Sequence, residues 1–206
     1  MIICLFGPDG SGKSSLARVL AEVLTRRGFR VRVSWMRGTH TLASLLAVFL
    51  SRFWAFRGRD NPYYNISIPR KMRRLWQLLE FASVIPVILS RFILPRLLGY
   101  CVIAERYLPD FIVWVSLTTR DVSYLRSLEA RFLLALSEKA SVKVYVRASE
   151  AELAKRRNDV GSGFIVKQLE LYDKIAKAIN AQVIDTTGKT VAESARILYD
   201  LVKQCS

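Results

Sequence analysis

Residues Gly7 to Ser15 read Gly-Pro-Asp-Gly-Ser-Gly-Lys-Ser-Ser. Gly7, Gly12, Lys13 and Ser14 keep the spacing of a glycine, four residues, then glycine-lysine-serine, a pattern that cradles phosphates. Gly7, Gly10 and Gly12 free the backbone to curl so that successive N–H groups converge on phosphate oxygens. Asp9, Ser11 and Ser15 belong to the same loop. Lys13 is placed to reach the β- and γ-phosphates of a nucleoside triphosphate such as ATP, and the Ser14 hydroxyl to ligate Mg²⁺.

A second set of charges lies elsewhere. Glu105 and Arg106, followed by Tyr107, end a short apolar run, the position where open α/β sheets place ligands. A carboxylate there can orient the waters of Mg²⁺ or take a proton. A guanidinium there can grip a phosphate through two parallel hydrogen bonds. Arg37 follows another apolar run and is expected at the same edge. Lys155, Arg156, Arg157 and Asp159 lead into Gly161-Ser162-Gly163, a charged helix end and flexible loop suited to closing over a triphosphate. His40, the one histidine, reads as a helix-start or packing residue.

These residues need a frame. Ile2 to Phe6 has the length and residue types of a buried strand, and Leu16, Val19, Leu20, Val23 and Leu24 follow at helical spacing. The phosphate-holding loop therefore joins a strand to the N-terminus of a helix, whose positive end adds to the site. Gly28 ends that helix. Further strands are expected at Phe29–Trp35, Tyr100–Ala104, Val142–Val146 and Gln182–Ile184. Thr41–Arg57 reads as a helix apolar nearly all round, buried in the core or at a subunit contact. Gly58–Pro69 reads as a polar linker. Arg70–Leu98 is helical, bent or broken near Pro86 and Pro95. Pro109–Leu117, Asp121–Ser137 and Phe164–Asn180 are helical, and capping-box pairs Ser149/Glu152 and Thr190/Glu193 start two more helices. Strands alternating with helices imply an α/β fold with a five-stranded parallel sheet flanked by helices in three layers. Residues 1–206 are expected to form one domain, with an acceptor-binding helical region at about 37–98 and a short lid at about 155–163.

At this point the chain resembles the thymidylate kinase-like branch of the P-loop nucleoside monophosphate kinases, over most of its length. The loop carries Asp9 at the position where that family places a carboxylate near the acceptor sugar's hydroxyl. Glu105-Arg106-Tyr107 is similar to the family's Asp-Arg-Tyr, whose arginine holds the acceptor phosphate, and Arg37 matches a family arginine facing the acceptor. Arg156 and Arg157 resemble the lid arginines; Tyr172 and Val183-Ile184-Asp185-Thr186 also fit. The resemblance implies ATP-Mg²⁺ as phosphoryl donor, with Glu105 reaching the metal through water, and often a helix-mediated homodimer. It also has departures. Glu105 replaces the usual Asp. The family's base-contacting Arg falls at about Ile85, and its Ser-x-x-x-Tyr-Gln falls on Asp110, Trp114 and Val115. The phosphate-handling groups are kept while the thymine-reading ones are altered.

Composition narrows the alternatives. Hydrophobic residues make up 51% and charged residues 24%, which suits a packed domain. The net charge of +15 exceeds what phosphate binding alone needs. The excess admits a nucleic acid or an anionic membrane surface as partner. Arg outnumbers Lys by about two to one, a weak lean towards a heat-adapted source. Cys4, Cys101 and Cys205 have no metal-ligand spacing and read as structural thiols in a reducing cytosol. No signal peptide is expected, because the chain opens directly on a strand. Leu42–Phe56 and Val84–Ala104 are strongly apolar. Arg52 interrupts the first, and Pro86, Arg91, Pro95 and Arg96 the second, so neither is expected to supply a transmembrane span. The leading expectation is phosphoryl transfer from ATP to a nucleoside monophosphate. A deoxynucleoside kinase-like or other small-metabolite kinase is the alternative enzyme, although Ser34 to Arg37 offer no acid where that family keeps its base. A nucleotide-binding module on nucleic acid or membrane is the alternative of another class.

Overall fold

In the computed structural model the described residues are 1–36, 38–156 and 162–204, without the side chain of Ser162. β1 (Ile2–Phe6) is apolar at every position and buried along its whole length. It runs parallel between β4 (Cys101–Glu105) and β5 (Val142–Arg147), with Cys4 opposite Ala104 and Leu5 opposite Val144. β2 (Val31–Trp35) pairs with β4, and β6 (Gln182–Asp185) with β5. The sheet order is β2-β4-β1-β5-β6, all parallel, as the alternation of strands and helices requires.

Side-chain alternation along the strands divides the core into two halves. Ile3, Leu5, Ile103 and Val144 pack on one face with α1 (Lys13–Arg26) and α9 (Val191–Gln204), through Leu16, Leu20, Leu24, Leu198 and Val202. Cys4, Phe6, Val102 and Ala104 pack on the other, against α5 (Leu108–Thr118) and α8 (Ser162–Ala178). The central strand β1 is thus covered on both sides, which is why it reads as a continuous apolar run, while the edge strands β2 and β6 are largely exposed. Cys4 and Cys101 are free, buried thiols, pushed up in pKa by burial; Cys205 lies outside the described residues.

Several expectations need correction. α2 stops at Leu50, not near Arg57 (Thr41–Leu50). A turn and a short 3₁₀ segment, Trp54–Phe56, follow. It buries only Ala43, Ala47 and Leu50 and leaves its outer face open, so it is not a core helix. The supposed polar linker contains β3 (Arg57–Asn61), whose Arg57 and Asn61 each bridge to Ile66. That hairpin is tied down by Asp60, which pairs with Arg120, and by Tyr63, whose ring lies 5.1 Å from that of Trp114.

The prolines do not break the long helix either. α3 (Arg73–Ile88) carries Pro86 inside it and continues through a π-helical turn, Leu89–Ile93, into α4 (Leu94–Leu97). The widened turn absorbs the hydrogen bonds that proline cannot make. It is docked on the end of β2: Ser34 Oγ donates to the Arg91 carbonyl at 2.8 Å and Arg91 Nη1 to the Trp35 carbonyl at 2.7 Å. Taken as one helix, Arg70–Leu97 is long and apolar enough to cross a membrane by length and composition, contrary to expectation. Its inner face is packed into the protein through Trp76, Val84, Val87, Ile88 and Phe92. The stretch expected to be helical from Asp121 begins as a 3₁₀ turn, Val122–Arg126, before α6 (Leu128–Glu138).

Candidate active site

β1 delivers the glycine loop at the carboxyl edge of the sheet's centre. Gly7 has φ +144°, and a Cβ there would overlap the carbonyl of Val146 on β5, so no side chain fits. Gly10 and Gly12 have φ of +85° and +92°. Gly12 caps α1 without a side-chain acceptor. The positive end of the α1 dipole therefore adds to the loop without a side-chain cap from Gly12. Lys13 is buried; its ammonium donates back to the Pro8 carbonyl and, at 3.2 Å, to Ser11 Oγ. Ser14 Oγ donates to Glu105 Oε1 across the gap between α1 and β4.

Arg106 stands where β4 ends, with φ +64°, a left-handed conformation that a non-glycine residue adopts at some cost in strain. Its N–H donates to the Leu5 carbonyl at 3.0 Å and its carbonyl accepts from Met36 at 3.2 Å, so three strand ends meet at this residue. Its guanidinium pairs with Asp9 of the loop and lies 3.9 Å from Asp110 Oδ1. Burial alone would weaken the Arg106 charge, but Asp110 and Asp9 more than offset it and hold the guanidinium protonated.

Asp110, legible in the sequence only as an altered thymine-reading position, takes an unforeseen place beneath the loop. It is fully buried at the start of α5 and accepts from the Gly7 N–H at 3.3 Å, the Tyr107 N–H at 3.1 Å and the Tyr172 hydroxyl at 2.8 Å. Burial raises its pKa; Lys13 and Arg106 oppose that rise. The available signal was its place three residues after Tyr107, where an acid can bond back to the helix N-cap.

Arg156, at the end of α7 (Glu150–Arg156), reaches the loop. Nη1 donates to the Gly10 carbonyl at 3.0 Å, while Glu152 holds Nε at 2.9 Å. Thr186, just beyond β6, donates to the Ser11 carbonyl at 3.1 Å and accepts from Arg156. Gly10 to Ser15, Arg106, Arg156, Thr186 and Lys189 line a cleft of about 490 Å³.

The structure thus brings together Gly7, Asp9, Gly10, Ser11, Gly12, Lys13, Ser14, Ser15, Glu105, Arg106 and Arg156. Arg37 and Arg157, and positions 157–161 of the expected lid, lie outside the described residues. Tyr107 is corrected: its ring is buried in the core, 4.8 Å from that of Phe92, because the extended backbone at the start of α5 turns it away from the cleft. His40 caps α2, and burial with Arg91 nearby lowers its pKa to about 4, which fits a packing residue.

No protein-family model matches the sequence, and no curated protein matches it. Among solved structures the chain is similar to thymidylate kinase from Candida albicans, at TM-score 0.65 and 18% identity, over 98% of this chain and 91% of that one. It is also similar to thymidylate kinase from Ehrlichia chaffeensis, at TM-score 0.57 and 17% identity, over 98% of each chain. The architecture is an α/β P-loop fold with a five-stranded parallel sheet. More narrowly, it is a thymidylate kinase-like fold.

Proposed function

We propose that this chain is a kinase that moves the γ-phosphoryl group of ATP to the phosphate of a nucleoside monophosphate. One observation carries the reading: Arg106 holds a charged guanidinium beside the glycine loop, braced by Asp9 on one side and Asp110 on the other. Phosphoryl transfer between two anions asks the protein for positioning and charge neutralisation, not covalent chemistry. Lys13 and the N-terminus of α1 would bind the β- and γ-phosphates of ATP. Arg106 would hold the acceptor phosphate in line with the γ-phosphate, with Asp9 placing the acceptor sugar. Arg156 would spread transition-state charge from the far side of the loop.

Ser14 and Glu105 form an oxygen-only pair, hydroxyl and carboxylate in contact, which fits Mg²⁺. Ser14 would hold the ion directly and Glu105 through water. Held there with ATP, the ion would supply neutralisation of triphosphate charge. Ser14 keeps its hydroxyl turned to that position, and Glu105 fixes its rotamer.

A hydroxyl acceptor would need a free carboxylate as base. Among the described residues of this edge, Asp9 is paired with Arg106, Glu105 with Ser14, and Asp110 lies beneath the loop. The positions that read thymine in the resembling family carry an engaged acid at Asp110, a buried ring at Trp114, and aliphatic Val115 and Ile85. Thymine therefore has few polar partners here, and we infer a broader or different monophosphate. The Candida albicans enzyme is itself described as having broad substrate specificity. The test is a transfer panel with ATP-Mg²⁺ across nucleoside monophosphates, nucleosides and small phosphorylated metabolites. The proposal expects turnover with at least one nucleoside monophosphate and fails if none is used.

A further inference from the structure

We propose that Glu80 of α3 is a positioning residue for the acceptor, acting through Thr39 to hold segment 38–41 at the acceptor edge of the cleft. The inference rests on the reading of Arg106 and the residues after β2 as the acceptor side.

Segment 38–41 follows Arg37 in sequence and leads from β2 into α2. Just before it, the Met36 N–H donates to the Arg106 carbonyl at 3.2 Å. The segment therefore starts beside the residue proposed to hold the acceptor phosphate. Its backbone is strained. Gly38 has φ +89°, and a Cβ there would come within 3.3 Å of the Tyr63 ring. Thr41 has φ +41°, an outlier for a β-branched residue. Strain of this kind persists only where the surroundings over-determine it, and it gathers at ligand clamps.

One turn of α3 does the restraining. Thr39 Oγ1 donates to Glu80 Oε1 at 2.7 Å, Thr41 Oγ1 to the Ser83 carbonyl at 2.8 Å, and the Ala43 N–H to Ser83 Oγ at 2.9 Å. Asn61 Nδ2 donates to Thr39 Oγ1 at 3.0 Å, so that hydroxyl receives from the β3 hairpin and gives to Glu80. Trp76 Nε1 donates to the same Glu80 oxygen at 3.1 Å.

A carboxyl is a costly choice for packing alone. Glu80 is 0% exposed, and among the described residues its Oε2 has no hydrogen-bond partner. Leaving a buried polar atom unsatisfied destabilises the fold, and an apolar side chain of similar volume would avoid that. An apolar side chain would also leave the Thr39 hydroxyl undirected. What Glu80 adds is an acceptor oxygen that fixes Thr39 from α3, and the strained segment with it.

The experiment compares the full-length wild type with Glu80→Leu, Glu80→Gln and Thr39→Val. Steady-state kinetics use ATP-Mg²⁺ and the best nucleoside monophosphate of the transfer panel, and amide hydrogen exchange is followed over residues 38–43. Glu80→Leu and Thr39→Val should each raise the acceptor KM by about threefold to tenfold, the loss of one hydrogen bond. The KM for ATP should stay within about twofold, since the phosphate loop is untouched. Exchange over 38–43 should quicken in both variants. Glu80→Gln keeps an oxygen for Thr39 and Trp76 and should recover most of the acceptor KM. An acceptor KM unchanged in both variants, or a rise shared equally by ATP, would overturn the proposal. So would a Gln variant as impaired as the Leu variant. Should no monophosphate be turned over, the proposed function fails on its own; exchange over 38–43 no faster in Thr39→Val and Glu80→Leu would then overturn the Glu80 clamp separately.

Discussion

Tyr172 of α8 donates its hydroxyl hydrogen bond to Asp110 at 2.8 Å, closing a contact across 62 residues of chain beneath the phosphate loop. The same carboxylate receives the Gly7 N–H, so the floor of the loop is held by a side chain from α5 that is itself held from α8. Tyr172→Phe removes one donor to a buried acid and should cost about 1.5–3 kcal/mol. Asp110→Ala also strips Arg106 and two backbone N–H groups of a partner and should cost more, about 3–5 kcal/mol. Urea titration of the two variants checks the order. Equal or negligible losses would remove Asp110 from its structural role.

Gly7 and Gly12 both have positive φ, yet they should not respond alike. A methyl group at Gly7 meets the Val146 carbonyl, while one at Gly12 meets open space. Gly12→Ala should cost about 1–2 kcal/mol from backbone strain alone. Gly7→Ala adds the overlap and should cost about 3 kcal/mol or more. Thermal melts of the two variants give the comparison, and a milder effect at Gly7 would contradict it.

The contrast marks what the chain makes legible. Strands such as Ile2–Phe6 and the helix after Lys13 show in the periodicity because burial on both sheet faces dictates it. The loop shows because phosphate chemistry demands glycines at set intervals. β3 does not show: Arg57 to Asn61 carry no apolar pattern, and their pairing depends on Ile66. The end of α2 is not legible because Phe53, Trp54 and Phe56 continue the apolar run past Leu50, although Phe53 and Trp54 face outwards there. The continuity of the helix through Pro86 depends on a π turn anchored by Ser34 and Trp35, contacts made 50 or more residues apart in sequence. Asp110 has several partners, but the partner on α8 appears only once the chain has folded.

Glu80 provides a pH test. It is buried on α3, where Oε1 accepts from Thr39 Oγ1 at 2.7 Å and Trp76 Nε1 at 3.1 Å, and burial pushes its pKa up to about 7. The folded state therefore binds this proton more tightly than the unfolded chain, whose carboxyl titrates near 4.5. The stability so gained is complete below about pH 4.5 and is lost as pH rises through about 7. That interval is worth roughly 3 kcal/mol at most. Glu80→Gln should flatten this limb of the stability–pH curve. An unchanged slope would show that Glu80 titrates normally.

Lys13→Ala should leave the secondary structure intact, because the ammonium turned towards Pro8 and Ser11 serves a ligand more than the fold. The rate should fall by about 10³-fold or more through lost transition-state charge stabilisation. Circular dichroism beside steady-state turnover checks both halves. Turnover near the wild-type rate would refute the role given to the loop.

Arg106 carries the central claim, and kinetics with one nucleoside and its monophosphate, on wild type and on Arg106→Ala, test it most directly. The monophosphate should be by far the better substrate of the wild type. Arg106→Ala should raise its KM and lower kcat together, a loss of roughly 1.5–3 kcal/mol, with ATP affinity nearly unchanged. Arg106→Lys should recover only part of this, since an ammonium lacks the planar fork. A nucleoside used better than its monophosphate, or an Arg106→Ala effect confined to ATP, would contradict the account.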